Sequence, residues 1–184
     1  HQAPMQPTSA RAITLVVYPG FKALEAIGPL SVFDYANVHL RQRGLPDGYA
    51  VQIAAAQRGP VPSDTLMQLD ASLALADWQA EAAPALDTVI VVGSRQIEQI
   101  LAQSDELVQW LARMAPRIPR LVALCSGSFF LAQAGLLHDR RAATHWSVAP
   151  TLAKRFPRIQ VDANAIYVRD TVRDIGYTHS DMGF

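Results

Sequence analysis

The stretch Arg120-Leu-Val-Ala-Leu-Cys125-Ser-Gly-Ser-Phe-Phe-Leu-Ala-Gln-Ala-Gly-Leu137 decides the fold. Its apolar Leu/Val run predicts a buried strand that stops at the chain's one cysteine. Ser126-Gly127-Ser128 then opens a helical pattern. Cys125 therefore falls on a strand-to-helix turn, which pushes a side chain out of the backbone path into a cleft. The helix behind it aims unpaired N–H groups and its positive dipole end at the same spot. Such a turn suits a reactive thiol or an anion pocket, and the helix terminus is expected to lower the thiol pKa.

On either side the chain alternates strand and helix. Ala12 to Tyr18 is a β-branched apolar run closed by Pro19-Gly20, and Pro29 is expected in the first turn of a helix running from Leu30 to Arg41. Tyr49 to Ala55 reads as a second strand, and Pro60 to Leu69 as a hairpin or bulge on a sheet edge, where proline is tolerated. Thr88 to Val92 is a buried strand ending at Gly93-Ser94, and Ile97 to Met114 carries helical periodicity. Arg141 to Trp146 is read as a short strand, Val148 to Phe156 as a helix, and Gln160 to Val168 as one or two strands. Thr171 to Phe184 shows no period and is expected to be irregular. This order implies an α/β fold, a mostly parallel sheet covered on both faces. Residues 1–11 read as a disordered leader without an apolar secretion core, and residues 12–184 as a single domain.

Composition narrows the function classes. The 184 residues are 50% hydrophobic and 17% charged, which favours a globular core. Sixteen basic residues balance sixteen acidic ones, so no electrostatic footprint for nucleic acid or an anionic membrane is present in the sequence. A single cysteine makes no internal disulfide and points to a reducing, cytoplasmic setting. No apolar run approaches the ~20 residues that span a bilayer. His39, His138 and His179 lack metal-ligand spacing, so neither a metal nor another cofactor is expected.

In parallel sheets, ligands bind beyond the carboxyl ends of the strands. Three such ends carry polar groups: Glu25 with Gly28-Pro29, then Gly93-Ser94-Arg95, then Cys125-Ser126-Gly127. Brought together, they would join a carboxyl, a thiol and several backbone N–H groups. His145 follows twenty residues after Cys125.

The Cys125-Ser-Gly-Ser turn, the Ala132 to Trp146 continuation ending in Thr144-His145-Trp146, and Glu25 with Gly28-Pro29-Leu30 together resemble the ThiJ/PfpI superfamily. Within it the chain is similar to the amino-terminal domain of GlxA-like AraC-family transcriptional regulators and to isocyanide hydratases. The resemblance spans about Ile13 to Asp170. It implies a flavodoxin-like three-layer sandwich of the class I glutamine amidotransferase kind, usually a homodimer. By motif position, Cys125 is the elbow residue, Glu25 the facing acid, and His145 a weaker candidate base. The backbone N–H groups of Gly93 and Ser126 would act as oxyanion-type donors, with Ser94 and Gly127 completing a ligand pocket.

The resemblance implies a small-molecule sensor whose ligand is amino-acid-like or a quaternary ammonium compound. DNA would be reached only through a domain absent from these residues. The alternative it implies is a cysteine-dependent hydratase or hydrolase, and a third reading is a redox-responsive Cys125 oxidised to a sulfinate. Ser126 stands where PfpI-like proteases carry histidine, which disfavours a protease. Set against these, a lone cysteine is ordinarily a small buried hydrophobe, Glu25 suits a first helical turn, and His145 beside Trp146 suits a hydrogen-bonded structural role. Trp78 and Trp110 read as core or interface.

Overall fold

The computed structural model describes residues 10–162 together with the backbone of residues 167–169 and 175–179. The expected leader lies outside the described residues except for Ala10 and Arg11, and Arg11 already begins β1 (Arg11–Val16). The main sheet also holds β2 (Tyr49–Ala55), β5 (Leu73–Ala74), β6 (Thr88–Val91), β7 (Arg120–Leu124), β10 (Tyr167–Arg169) and β11 (Ile175–His179). Its seven strands run in the order β10-β11-β7-β6-β1-β2-β5. All described pairings are parallel except β10 with β11. Strands β3 (Gly59–Pro62) and β4 (Gln68–Ala71) form the separate antiparallel hairpin that their prolines suggest. Strands β8 (Arg141–Ala142) and β9 (Gln160–Val161) make a second small ladder.

The order places β1 between β2 and β6, and β6 between β1 and β7. The chain leaves β1 toward β2 and returns to β1's other side with β6, so a topological switch point opens at the carboxyl ends of β1 and β6, where α/β sheets bind ligands. The three polar strand ends singled out in the sequence are thus neighbours. Beneath them β6 is buried along its whole length, as expected for a strand covered on both faces. Trp78 and Trp110 belong to the core and meet edge to face at 5.4 Å.

Helices α1 (Ala23–Gln42), α2 (Ile97–Ala102), α3 (Asp105–Met114), α4 (Ser128–Gln133) and α5 (Ala149–Arg155) flank the sheet. Several differ from the sequence expectation. Helix α1 begins seven residues before Leu30, so Pro29 sits inside it rather than in its first turn. The start is fixed from outside: Asp64 on the hairpin accepts the Ala23 N–H at 3.0 Å, a cap that no local pattern reveals. The Ile97 to Met114 pattern divides at Gln103–Ser104, where the Ser104 hydroxyl turns back to the Ile100 carbonyl at 2.6 Å. The tail is not irregular throughout. Ile175–His179 pairs in parallel with β7, because β7 offers an open edge and Ile, Tyr and Thr favour strands.

Helix α1 has apolar residues on two faces. Ala23 and Ala26 are buried, whereas Leu24, Ile27, Tyr35 and Val38 form an exposed stripe at helical spacing, Tyr35 being 71% exposed. Among the described residues no helix is long and apolar enough to cross a membrane.

Candidate functional site

Cys125 occupies the bend between β7 and α4 with φ of +54°, a left-handed conformation that a non-glycine residue adopts at a cost. Two hydroxyls hold the bend. Thr144 donates to the Cys125 carbonyl at 2.9 Å and Ser128 donates to it at 3.2 Å, both from buried positions. Gly127 follows because nothing larger fits: a Cβ there would lie 2.4 Å from the Val91 carbonyl oxygen.

Glu25 projects from the first turn of α1 and is 7% exposed. Its Oε1 accepts the Gly93 N–H at 2.7 Å, and its Oε2 lies 3.5 Å from the Lys22 ammonium. The carboxylate also stands close enough to the Cys125 thiol to raise its pKa. Acid and thiol therefore meet as the sequence suggested. Gly93 is confined between them, since a Cβ on it would lie 2.5 Å from Ser126 Oγ and 3.0 Å from Glu25 Oε1.

The electrostatics run against the expectation of an activated thiol. Cys125 is only 4% exposed, and its pKa is pushed up to about 12. Burial is the main cause and the negative charge of Glu25 the next, with Lys22 and a hydrogen bond from the Ser126 N–H pulling weakly the other way. The helix terminus was expected to win. It does not, because burial and the Glu25 charge outweigh it. Tyr18 is buried beside the pair: its hydroxyl donates to the Val92 carbonyl at 2.6 Å, and burial, Glu25 and Cys125 raise its pKa.

Of the two expected oxyanion donors, Gly93 is engaged by Glu25, while the Ser126 N–H points to Cys125. The Ser94 N–H donates to Ser126 Oγ at 3.0 Å, and Ser126 Oγ donates back to the Ser94 carbonyl at 2.9 Å. The Ser94 hydroxyl donates to the Gly20 carbonyl. His145 is partly exposed, and its Nδ1 is tied to Ser147, by the hydroxyl at 2.6 Å and the backbone N–H at 3.1 Å. An open cleft of about 520 Å³ adjoins the site, lined by Gly20, Ser63, Asp64, Ser94, Arg95 and Gln96. Among the described residues no group of three His, Cys, Asp or Glu is placed to hold a metal.

Sequence reasoning missed Lys22, Tyr18 and Thr144. The first two lie at the carboxyl end of β1, where the rule that located Glu25 applies equally. Thr144 is the residue just before the histidine that drew attention.

The DJ-1/PfpI family model matches residues 11–175. An uncharacterized protein of the cpoL 5' region of Streptomyces lividans is 35% identical over 150 residues, 79% of this chain and 94% of its own length. The HTH-type transcriptional regulator CdhR of Pseudomonas aeruginosa is 29% identical over 79% of this chain and 40% of the regulator. The isonitrile hydratase of Pseudomonas putida is 27% identical over 78% of this chain and 57% of the enzyme. The chain thus spans nearly all of the first relative but only about half of the other two. Among solved structures, an AraC family transcriptional regulator from Pseudomonas putida superposes with a TM-score of 0.72 at 22% identity, covering 92% of this chain and 83% of that one. Drosophila melanogaster DJ-1beta gives 0.73 at 17% identity, covering 94% and 83%. The architecture is accordingly the flavodoxin-like, class I glutamine amidotransferase-like sandwich, and the chain belongs to the DJ-1/PfpI family.

Proposed function

We propose that this domain senses a small molecule on behalf of a transcriptional regulator of the AraC kind, with the ligand bound at the Cys125 elbow and the adjoining cleft. The observation that carries the reading is the state of the thiol. Cys125 is 4% exposed, burial and the Glu25 charge push its pKa up to about 12, and His145 spends its Nδ1 on Ser147. A nucleophile needs the thiolate and a partner to take its proton, so this site is better suited to binding than to turnover. DNA would be contacted by a separate domain, in keeping with the balanced charge here. The cytoplasm suits a protein with one buried free thiol.

A homodimer fits the same reading. The α1 stripe of Leu24, Ile27, Tyr35 and Val38 is apolar surface that a second copy would bury, and Gly28 within it leaves open space for close approach. Because Glu25 projects from the first turn of the same helix, a ligand that shifts α1 would alter the dimer.

The test combines two measurements on the wild-type chain and Cys125→Ala. A panel of amino-acid-like and quaternary ammonium compounds is screened by thermal shift, and isocyanide hydration is assayed in parallel. The sensor reading expects a shift that survives Cys125→Ala, with no turnover by either protein. Turnover by the wild type that vanishes in Cys125→Ala would instead establish the hydratase, a reading favoured by the hydratase relative and by the thiol facing Glu25.

A further inference from the structure

The cleft beside the elbow is walled on one side by a cation that the protein grips along a single edge. Arg95 follows β6 and lines that cleft. Its Nε lies 2.9 Å from Asp64 Oδ2, and its Nη2 donates to the Asp64 carbonyl at 3.0 Å. Asp64 is itself anchored at both ends. Its Oδ1 accepts the Ala23 N–H at 3.0 Å, and its own N–H donates to the Phe21 carbonyl at 2.8 Å. A guanidinium carries five N–H donors in a rigid plane. Asp64 takes the edge formed by Nε and Nη2. The other edge, Nη1 with the second N–H of Nη2, has no partner among the described residues, and the side chain is 67% exposed.

We propose that this outer edge of Arg95 is a carboxylate-binding subsite, and that the small molecule taken up at the elbow is an organic monocarboxylate. The inference deepens the sensing reading and rests on it for what the ligand is used for. Two parallel N–H donors match the two oxygens of a carboxylate, and a guanidinium already fixed by Asp64 loses little freedom on binding. An exposed ion pair adds little stability by itself, so the contact with Asp64 serves mainly to orient the fork.

The rest of the cleft agrees with this assignment. Its hydroxyls are spent internally, Ser94 on the Gly20 carbonyl at 2.9 Å and Ser63 on Thr65 at 2.9 Å. Gln96, exposed on the cleft wall, adds an amide with no partner among the described residues. The charge balance selects a monoanion, because one guanidinium stands beside one carboxylate and a phosphate dianion would bring a charge that the cleft does not match. Ser94 joins the subsite to the elbow, since it lines the cleft and its N–H meets Ser126 Oγ at 3.0 Å. A volume of about 520 Å³ is that of a small-molecule site.

Titrations of the whole chain with butyrate, butyramide and butyl phosphate, followed by NMR, test the subsite. Butyrate should bind saturably with a Kd of about 1 to 10 mM, and butyramide about tenfold more weakly or less. Butyl phosphate should bind no better than butyrate. Arg95→Gln should weaken butyrate about tenfold or more and leave butyramide unchanged, whereas Arg95→Lys, a cation without the fork, should recover only part of the loss. If Arg95→Gln does not fold, Arg95→Lys against wild type carries the comparison. Equal affinity for butyrate and butyramide overturns the proposal. So does tighter binding of butyl phosphate, wild-type butyrate affinity in Arg95→Gln, or no saturable butyrate binding up to about 100 mM. The two readings fail separately. Isocyanide turnover by a protein that still binds butyrate through Arg95 ends the sensing reading and leaves the subsite. Ligand-induced shifts with uncharged compounds alone, undiminished in Arg95→Gln, end the subsite and leave the sensing.

Discussion

Two segments that the sequence places at one site behave in opposite ways. The elbow, Cys125 with Ser126 and Gly127, is buried and has its polar atoms engaged by Glu25, Ser94, Ser128 and Thr144. The block Thr144-His145-Trp146 divides after its first residue. Thr144 is 1% exposed and clamps the elbow, whereas His145 turns outward to Ser147 and Trp146 is 63% exposed. The difference shows where this fold invests its precision. It fixes the geometry of a thiol and an acid, and leaves the nearby imidazole on a loop that answers to solvent.

The strongest way to break this picture is to crowd the elbow. Gly127→Ala places a methyl group against the Val91 carbonyl and the Val92 backbone, neither of which can rotate away. A loss of about 3 kcal/mol in urea unfolding is expected, at the upper end of overpacking costs. Gly93→Ala should be comparable and should also disturb alkylation of Cys125, because its nearest neighbours are Ser126 and Glu25. If either variant unfolds at the wild-type urea concentration, the elbow is looser than described.

The raised thiol pKa gives a second handle. An acid whose folded pKa lies above its unfolded value is more protonated when folded. Its stabilising contribution is complete below the unfolded pKa, near 9, and is lost as pH rises toward about 12. Stability should therefore fall by up to about 1.4 kcal/mol per pH unit across that window, beyond the slope of Cys125→Ala. Chemical denaturation of both proteins between pH 8 and about 10.5 measures the difference. Parallel slopes would mean that the thiol is not held neutral. The same state predicts that mild peroxide leaves the intact mass unchanged, against the sulfinate reading.

How far the sequence could be read follows from which signals are local. Strand β2 and the strand-to-bend transition at Cys125 were legible because apolar runs and Gly/Ser breaks act over a few residues. Glu25, Gly93 and Cys125 were legible as a group because parallel sheets collect function at one edge. The start of α1 was not, since its cap is Asp64, forty-one residues away in sequence. Nor was the β11 strand, whose pairing depends on an edge supplied by β7. The thiol's direction of shift was misread for a quantitative reason. A dipole end is visible in sequence, but the burial that outweighs it belongs to the assembled core.

The finest test of the comparison lies inside the Thr144-His145 dipeptide. Thr144→Val keeps the volume but removes a buried donor from the Cys125 carbonyl, so a loss of about 1 kcal/mol is expected, limited because Ser128 still donates there. His145→Ala removes a partly exposed ring bonded only locally, and should cost under about 0.5 kcal/mol. Iodoacetamide should then alkylate Cys125 in His145→Ala at a rate within about twofold of wild type, because an imidazole held by Ser147 takes no proton from the sulfur. Thr144→Val should change that rate more, since the strained φ at Cys125 relaxes when one of its two clamps is gone. A large fall in His145→Ala, with Thr144→Val unaffected, would reverse the assignment. The exposed ring would then be the thiol's base and the elbow an ordinary turn.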